Sequence, residues 1–266
     1  MRRGQRYCSM IVIDKLCYRS RLRYVNASEK FLYTVVTLVI CVAGRSPAAA
    51  AAAFAVNGIL TVRKGGIPLS RYIRLLMVPL AFLILGSAAV IVNISKTPLD
   101  AFAFPVGDWY ITGSRDSVTD GALLWAVALS AVSCLYFLSL NTTMTDILEV
   151  LRKLHVPALL IELMLLIYRF IFVLLETASA ITTAQKSRLG NRNYRTKVRA
   201  FGSMGSALFI QAFRRANALY DAMESRCYDG TIRVLSEEQP VSRKEICYIA
   251  VFEIILLAVT IGSRVI

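Results

Sequence analysis

Two long stretches of this chain carry no charged residue: Leu75 to Ser95 and Gly121 to Thr145. A helix needs roughly 17–25 apolar residues to cross a bilayer, and both runs are long enough. Backbone polar groups in lipid must be satisfied within the segment, so such runs fold as helices. Three shorter segments extend the pattern. Phe31 to Gly44 and Ala48 to Val62 flank an Arg45-Ser46-Pro47 turn, and the first helix starts near Ala27 with Lys30 snorkelling. Ile246 to Ser263 is interrupted by Glu253, an acid expected to face protein rather than lipid. The six alanines 48–53 form a small-residue surface on which helices can pack closely.

The charge lies outside these runs. The chain of 266 residues carries 31 Lys+Arg against 17 Asp+Glu, a net +14, yet it is 56% hydrophobic. A soluble nucleic-acid binder would be more polar, and a disordered chain far less apolar. Residues 1–30 hold eight Lys/Arg and two acids, and residues 184–245 hold twelve and six, so two segments carry most of the excess. The only apolar run before Phe31 is Met10 to Ile13, too short for the core of a signal peptide. With basic loops on the inside, residues 1–30 and the loop holding Arg63, Lys64, Arg71 and Arg74 are cytoplasmic, and residues 95–120 lie outside.

The stretch Pro157 to Ala180 is apolar enough to cross but contains Glu162, Arg169 and Glu176 at spacings of seven, which places them on one side of a helix. A charged stripe is costly against lipid and fits a helix packed on protein or lying at the interface. If it crossed, the basic residues of 184–245 would lie outside. The expected organisation is therefore a basic N-terminal segment 1–30, four transmembrane helices in 31–140, a cytoplasmic helical insert 141–245 and a last transmembrane helix in 246–266. This is an all-α, polytopic membrane protein with about five transmembrane helices.

The insert reads as three helices: Thr143 to Leu154, one opened by Pro157 that Gly190 can stop, and one from about Thr196 to Arg226. Gly202, Ser203, Gly205, Ser206 and Ala207 suggest a close helix crossing. The second and third helices each end in Ser-Arg-x, with Arg188 and Arg226 separated by 38 residues. An arginine at a helix C-terminus can simply favour the last carbonyls. A repeated one in basic surroundings can also present a guanidinium to an acidic groove on a partner, because its planar fork bonds carboxylate bidentately.

At these residues the sequence resembles the transmembrane T component of energy-coupling factor (ECF) transporters, most of all the cobalt-type CbiQ family. The resemblance runs through Ser20-Arg21-Leu22-Arg23, Gly66-Ile67-Pro68-Leu69, Ser139-Leu140-Asn141-Thr142-Thr143 and Tyr168-Arg169-Phe170, and is most specific at Ala222 to Gly230. In that family two short motifs, often Ala-Arg-Gly, end the coupling helices. They fall here on Ser187-Arg188-Leu189 and Ser225-Arg226-Cys227; both keep the arginine, replace alanine by serine and lose the final glycine. The resemblance implies that these six residues bind two ABC-type ATPase subunits, with Glu162, Arg169, Glu176 and Glu224 supporting the coupling helices. It further implies a separate substrate-capture membrane subunit and Co²⁺ as cargo for cobalamin synthesis.

The residues themselves point to no chemistry. No GxxxxGK[ST] nucleotide loop occurs. The six cysteines form no CxxC, and the single histidine, His155, precedes Pro157 closely and suits a capping or interfacial role. No cofactor, resident metal or nucleic acid is expected. Nickel or a vitamin as cargo remains an alternative. So does a membrane enzyme using Asp146, Glu149, Glu162 or Glu176, although these show no catalytic signature. The basic N-terminal segment can also bind an anionic lipid surface.

Overall fold

The computed structural model of the protein describes residue 14 and residues 16–91, 93–95, 102–106, 109–113, 115–188, 192–230, 240 and 242–265. Its elements are α1 (Ala27–Gly44), α2 (Pro47–Ile59), α3 (Leu69–Ile91), strands β1 (Asn93–Ser95), β2 (Phe102–Val106) and β3 (Trp109–Gly113), α4 (Arg115–Asn141), α5 (Met144–Lys153), α6 (Ala158–Ser187), α7 (Tyr194–Glu224) and α8 (Arg243–Val265). The chain divides into two compact units, one holding the described residues of Ile11–Thr143 and Glu238–Ile266, the other those of Met144–Glu237.

The first unit contains α1–α4 and α8. Local chemistry sets its helix ends. Asn26 caps α1 by accepting from the Ser28 amide at 2.9 Å, and Ser46 caps α2, whose first residue is Pro47. Arg45 between them takes a left-handed conformation, φ 47°. α2 runs on into a π-helical turn, Leu60–Lys64. α3 tolerates Pro79 in its interior. Between α3 and α4 the three strands form an antiparallel sheet in the order β1-β3-β2, with Phe104 opposite Ile111. This small sheet was not expected from the sequence.

Packing follows the small residues. α2 lies against α4 and α8, and Ala49, Ala50 and Ala53 are buried there, as the alanine run suggested. Leu256 of α8 joins Cys41, Ala49 and Ala53 in one apolar cluster. Polar side chains link the helices: Tyr33 donates to Asn57 at 2.9 Å, Asn57 to the Cys134 sulfur at 3.0 Å, and Tyr72 bonds Ser133 at 2.8 Å. Glu253 is buried against Thr37 of α1, so it faces protein.

Lys30 does not snorkel. It is 4% exposed, and its Nζ donates to the carbonyls of Leu22 at 3.0 Å and Asn141 at 2.9 Å. The ammonium sits on the last turn of α4, where a helix dipole favours a cation. Ser20 donates to the Asn141 side chain at 2.7 Å, so the segment before α1 is tied to the same point.

Five helices are long and apolar enough to cross a membrane: Ala27–Gly44, Leu69–Ser87, Thr119–Asn141, Ala158–Ser187 and Arg243–Ser263. The number matches the sequence reading, but the membership does not. The Ala48–Val62 segment becomes a 13-residue helix before its π-helical turn, whereas α6 reaches 30 residues. Apart from the small sheet, these features describe an all-α, polytopic membrane protein.

Candidate functional site

The second unit is built from α5, α6 and α7. In α5, Glu149 and Lys153 form an i,i+4 ion pair at 3.3 Å. The helix closes on His155 at φ 59°, with the His155 and Val156 amides bonded back to the carbonyls of Arg152 and Leu151. His155 therefore ends a helix, the capping role its position suggested. Pro157 then starts α6.

α6 and α7 form an antiparallel pair. Asn193 and Thr196 close a reciprocal cap on α7. Near that turn, Gln185 donates to the Ala200 carbonyl at 2.8 Å, and Thr182 donates to the Met204 sulfur at 3.3 Å. At the far end Tyr228, just past α7, donates to the carboxylate of Glu162 in the first turns of α6. That bond is the main cause holding the Tyr228 phenol above its usual pKa range.

The expected close crossing on small residues is not found. Gly202 and Gly205 have nothing within 4 Å of where a Cβ would stand, and Ser203, Ser206 and Ala207 are exposed. The bonds to α6 come from Ala200 and Met204 instead.

The two Ser-Arg helix ends share one local design. Ser187 donates to the Ala184 carbonyl at 2.9 Å, and Ser225 to the Ala222 carbonyl at 3.0 Å. Ser225 thus covers a carbonyl of the final turn, where helices lack backbone donors, whereas the Ala184 carbonyl also accepts from the Arg188 amide at 3.3 Å. Arg188 and Arg226 follow, both exposed. After α7 the chain makes a Schellman turn: the Cys227 amide bonds the Glu224 carbonyl at 3.0 Å and the Tyr228 amide bonds that of Met223 at 3.1 Å. Cys227 has φ 56°, a conformation glycine adopts freely and other residues rarely do. Leu189 and Gly190 lie outside the described residues.

Because α6 and α7 run antiparallel, Arg188 and Arg226 stand at opposite ends of the pair. The 31 residues of α7 alone span about 45 Å at 1.5 Å per residue. Of the charged residues expected to support the pair, Glu162 is buried and bonded to Tyr228, whereas Arg169, Glu176 and Glu224 are exposed. Tyr228 was not singled out as a partner of Glu162 from the sequence, although it lies inside the most specific stretch, Ala222 to Gly230.

Five helices long and apolar enough to cross a membrane define the class: a polytopic helical membrane protein. The model of the CbiQ cobalt transport protein family matches residues 19–238. Over 246 residues the chain is 33% identical to an uncharacterized protein of Methanocaldococcus jannaschii, covering 92% of this chain and 91% of that one. It is 32% identical to the cobalt transport protein CbiQ of Rhodobacter capsulatus, over 88% of this chain and 91% of the relative. It is 28% identical to the energy-coupling factor transporter transmembrane protein EcfT of Staphylococcus aureus, over 50% of this chain and 54% of the relative. The chain belongs to the CbiQ family, and with it to the membrane components of cobalt and ECF transporters.

Proposed function

We propose that this chain is the non-catalytic coupling subunit of an ECF-type ABC importer. It links two ATPase subunits to a substrate-capture membrane subunit, with Co²⁺ as the substrate carried for cobalamin synthesis. The observation that carries the reading is the placement of Arg188 and Arg226 at opposite ends of one antiparallel helix pair. A separation of that order is too wide for one groove and suits two separate partners. Each guanidinium would enter an acidic groove and make bidentate bonds to carboxylate. Ser187 and Ser225 bond their own helices, so the arginines are the side chains free to project from the ends.

In this reading α6 and α7 act as a lever. The Glu162–Tyr228 bond and the Gln185–Ala200 bond fasten the pair at its two ends. Movement of one arginine end is then shared with the other and passed on to the membrane helices. The chain performs no reaction of its own. The N-terminus and the Met144–Glu224 helices lie on the cytoplasmic side of the cell membrane, a placement supported by the twelve Lys/Arg of residues 184–245. α6 then rests at the interface, with Arg169 and Glu176 exposed.

The double variant Arg188→Ala/Arg226→Ala tests the reading. The protein should still reach the membrane, while ATPase co-purification and Co²⁺ uptake are lost. Truncating one partner of a buried charge pair costs about 2–5 kcal/mol, so each single variant should be partial. Normal ATPase assembly in the double variant would sink the proposal. Uptake assays with different capture subunits separate Co²⁺ from nickel or a vitamin.

A further inference from the structure

A cleft of about 280 Å³ opens in the first unit between the segment preceding α1 and the loop leading into α3. It is lined by Leu16, Arg19, Ser20, the Gly65–Pro68 loop and Arg71. The volume falls just below the range of drug-sized pockets and suits a small charged group. Arg19 and Arg71 both line the cleft and are exposed, and neither makes an ion pair or side-chain hydrogen bond among the described residues. The Gly66 and Ile67 amides also bond no acceptor among those residues. The cleft adjoins the first turn of α3, whose dipole favours an anion.

The cleft is a built feature of the fold. The Arg21 amide donates to the Gly65 carbonyl at 3.3 Å, which fixes one wall to the other. Gly65 cannot carry a side chain, because a Cβ there would stand 2.5 Å from the Asn141 side chain and from the Thr61 carbonyl. Gly66 takes φ +70°. The floor is thus held by Ser20 and Asn141, while the arginines at the mouth have no structural task.

The position of the cleft selects the anion. Leu69–Ser87 is long and apolar enough to cross a membrane, so its first turn lies at the level of lipid headgroups. Arg71, Val78, Phe82 and Leu85 share one face of α3 by helical spacing. Val78, Phe82 and Leu85 are 74%, 77% and 75% exposed, among the most exposed apolar side chains described. A phosphate in the cleft would have an apolar track running from it along the spanning helix. We infer that this cleft binds the phosphate of an anionic phospholipid between Arg19 and Arg71, with an acyl chain along Val78, Phe82 and Leu85.

Native mass spectrometry of the full chain in detergent tests this, using phosphatidylglycerol and phosphatidylcholine of equal acyl composition, with glycerol 3-phosphate as soluble competitor. Phosphatidylglycerol should bind in preference. Attraction of about 1 kcal/mol per basic residue corresponds to a loss of roughly fivefold for Arg19→Gln or Arg71→Gln, and roughly thirtyfold for both. The pair Arg19→Lys/Arg71→Lys should keep most of the preference, and the charge-matched pair Arg214→Gln/Arg215→Gln should keep all of it. Phe82→Ala should weaken the lipid adduct. Equal binding of the two lipids, or the same loss in the Arg214/Arg215 pair, would overturn the site. Displacement by glycerol 3-phosphate at concentrations comparable to the lipid would overturn the lipid assignment in favour of a free phosphate.

Discussion

The two units of this protein are both helical, but they are held together differently. In the first, side chains that should avoid lipid are enclosed between helices: Thr37, Asn57, Thr61, Ser130, Ser133 and Asn141 are fully buried. Their bonds join α1, α2 and α4 to one another and, through Glu253, to α8. In the second, α7 buries none of its 31 residues, and α6 buries only Ile161 and Glu162. Phe201, Phe209, Phe213 and Tyr220 stand exposed along one side of α7. The first unit carries its own internal constraints, whereas the helix pair holds few. Apolar attraction between helices is weak in lipid, so buried polar bonds and close packing have to supply the order there.

Three substitutions bear on this contrast. The largest effect is expected from Lys30→Met, which removes two charge-assisted bonds and leaves the buried Asn141 carbonyl and the part-buried Leu22 carbonyl without that donor. It should destabilise the purified protein by about 3 kcal/mol, seen as a lower thermal midpoint in detergent. A loss below about 1 kcal/mol would show that the buried polar joint does not hold the first unit. A smaller effect of opposite sign is expected from Cys227→Gly, which relieves a left-handed residue at the end of α7. The gain should be about 1 kcal/mol, read as slower amide exchange in the last turn of α7. Unchanged or faster exchange would mean that the turn is not strained. The smallest effect is expected from Phe209→Ala, within about 0.5 kcal/mol for the isolated chain, because the side chain is 73% exposed. A large drop in its thermal midpoint would reveal a core in the helix pair and erase the contrast.

Much of the first unit was legible because membrane helices announce themselves by what they lack. Charge-free runs located α3 and α4, the alanine run located a packing surface, and the isolation of Glu253 indicated that it faces protein. Lys30 was misread for a physical reason. A lysine near the end of an apolar helix normally reaches water, whereas here the carbonyls of Leu22 and the distant Asn141 accept from its ammonium. The π-helical turn at Leu60–Lys64 and the small sheet of residues 93–113 leave no periodic trace in so short a segment. In the second unit, the Ser-Arg ends were visible as a repeat, but their opposite placement depends on the antiparallel return of α7. The left-handed Cys227 was hidden because nothing in a cysteine marks that conformation. The small residues of α7 pointed to a crossing that Ala200 and Met204 make instead.

The bond between Glu253 and Thr37 joins residues 216 positions apart. Synthesis proceeds from the N-terminus, so α1 enters the bilayer long before α8 exists. Until then Thr37 can bond only within its own helix, to the Tyr33 carbonyl at 2.8 Å. The Thr37 hydroxyl thus has a partner while α1 waits, and α8 arrives carrying the acid that packs against it. A chain truncated before α8 would leave the alanine face of α2 without one of the helices packed on it, with α1 and α4 still in place.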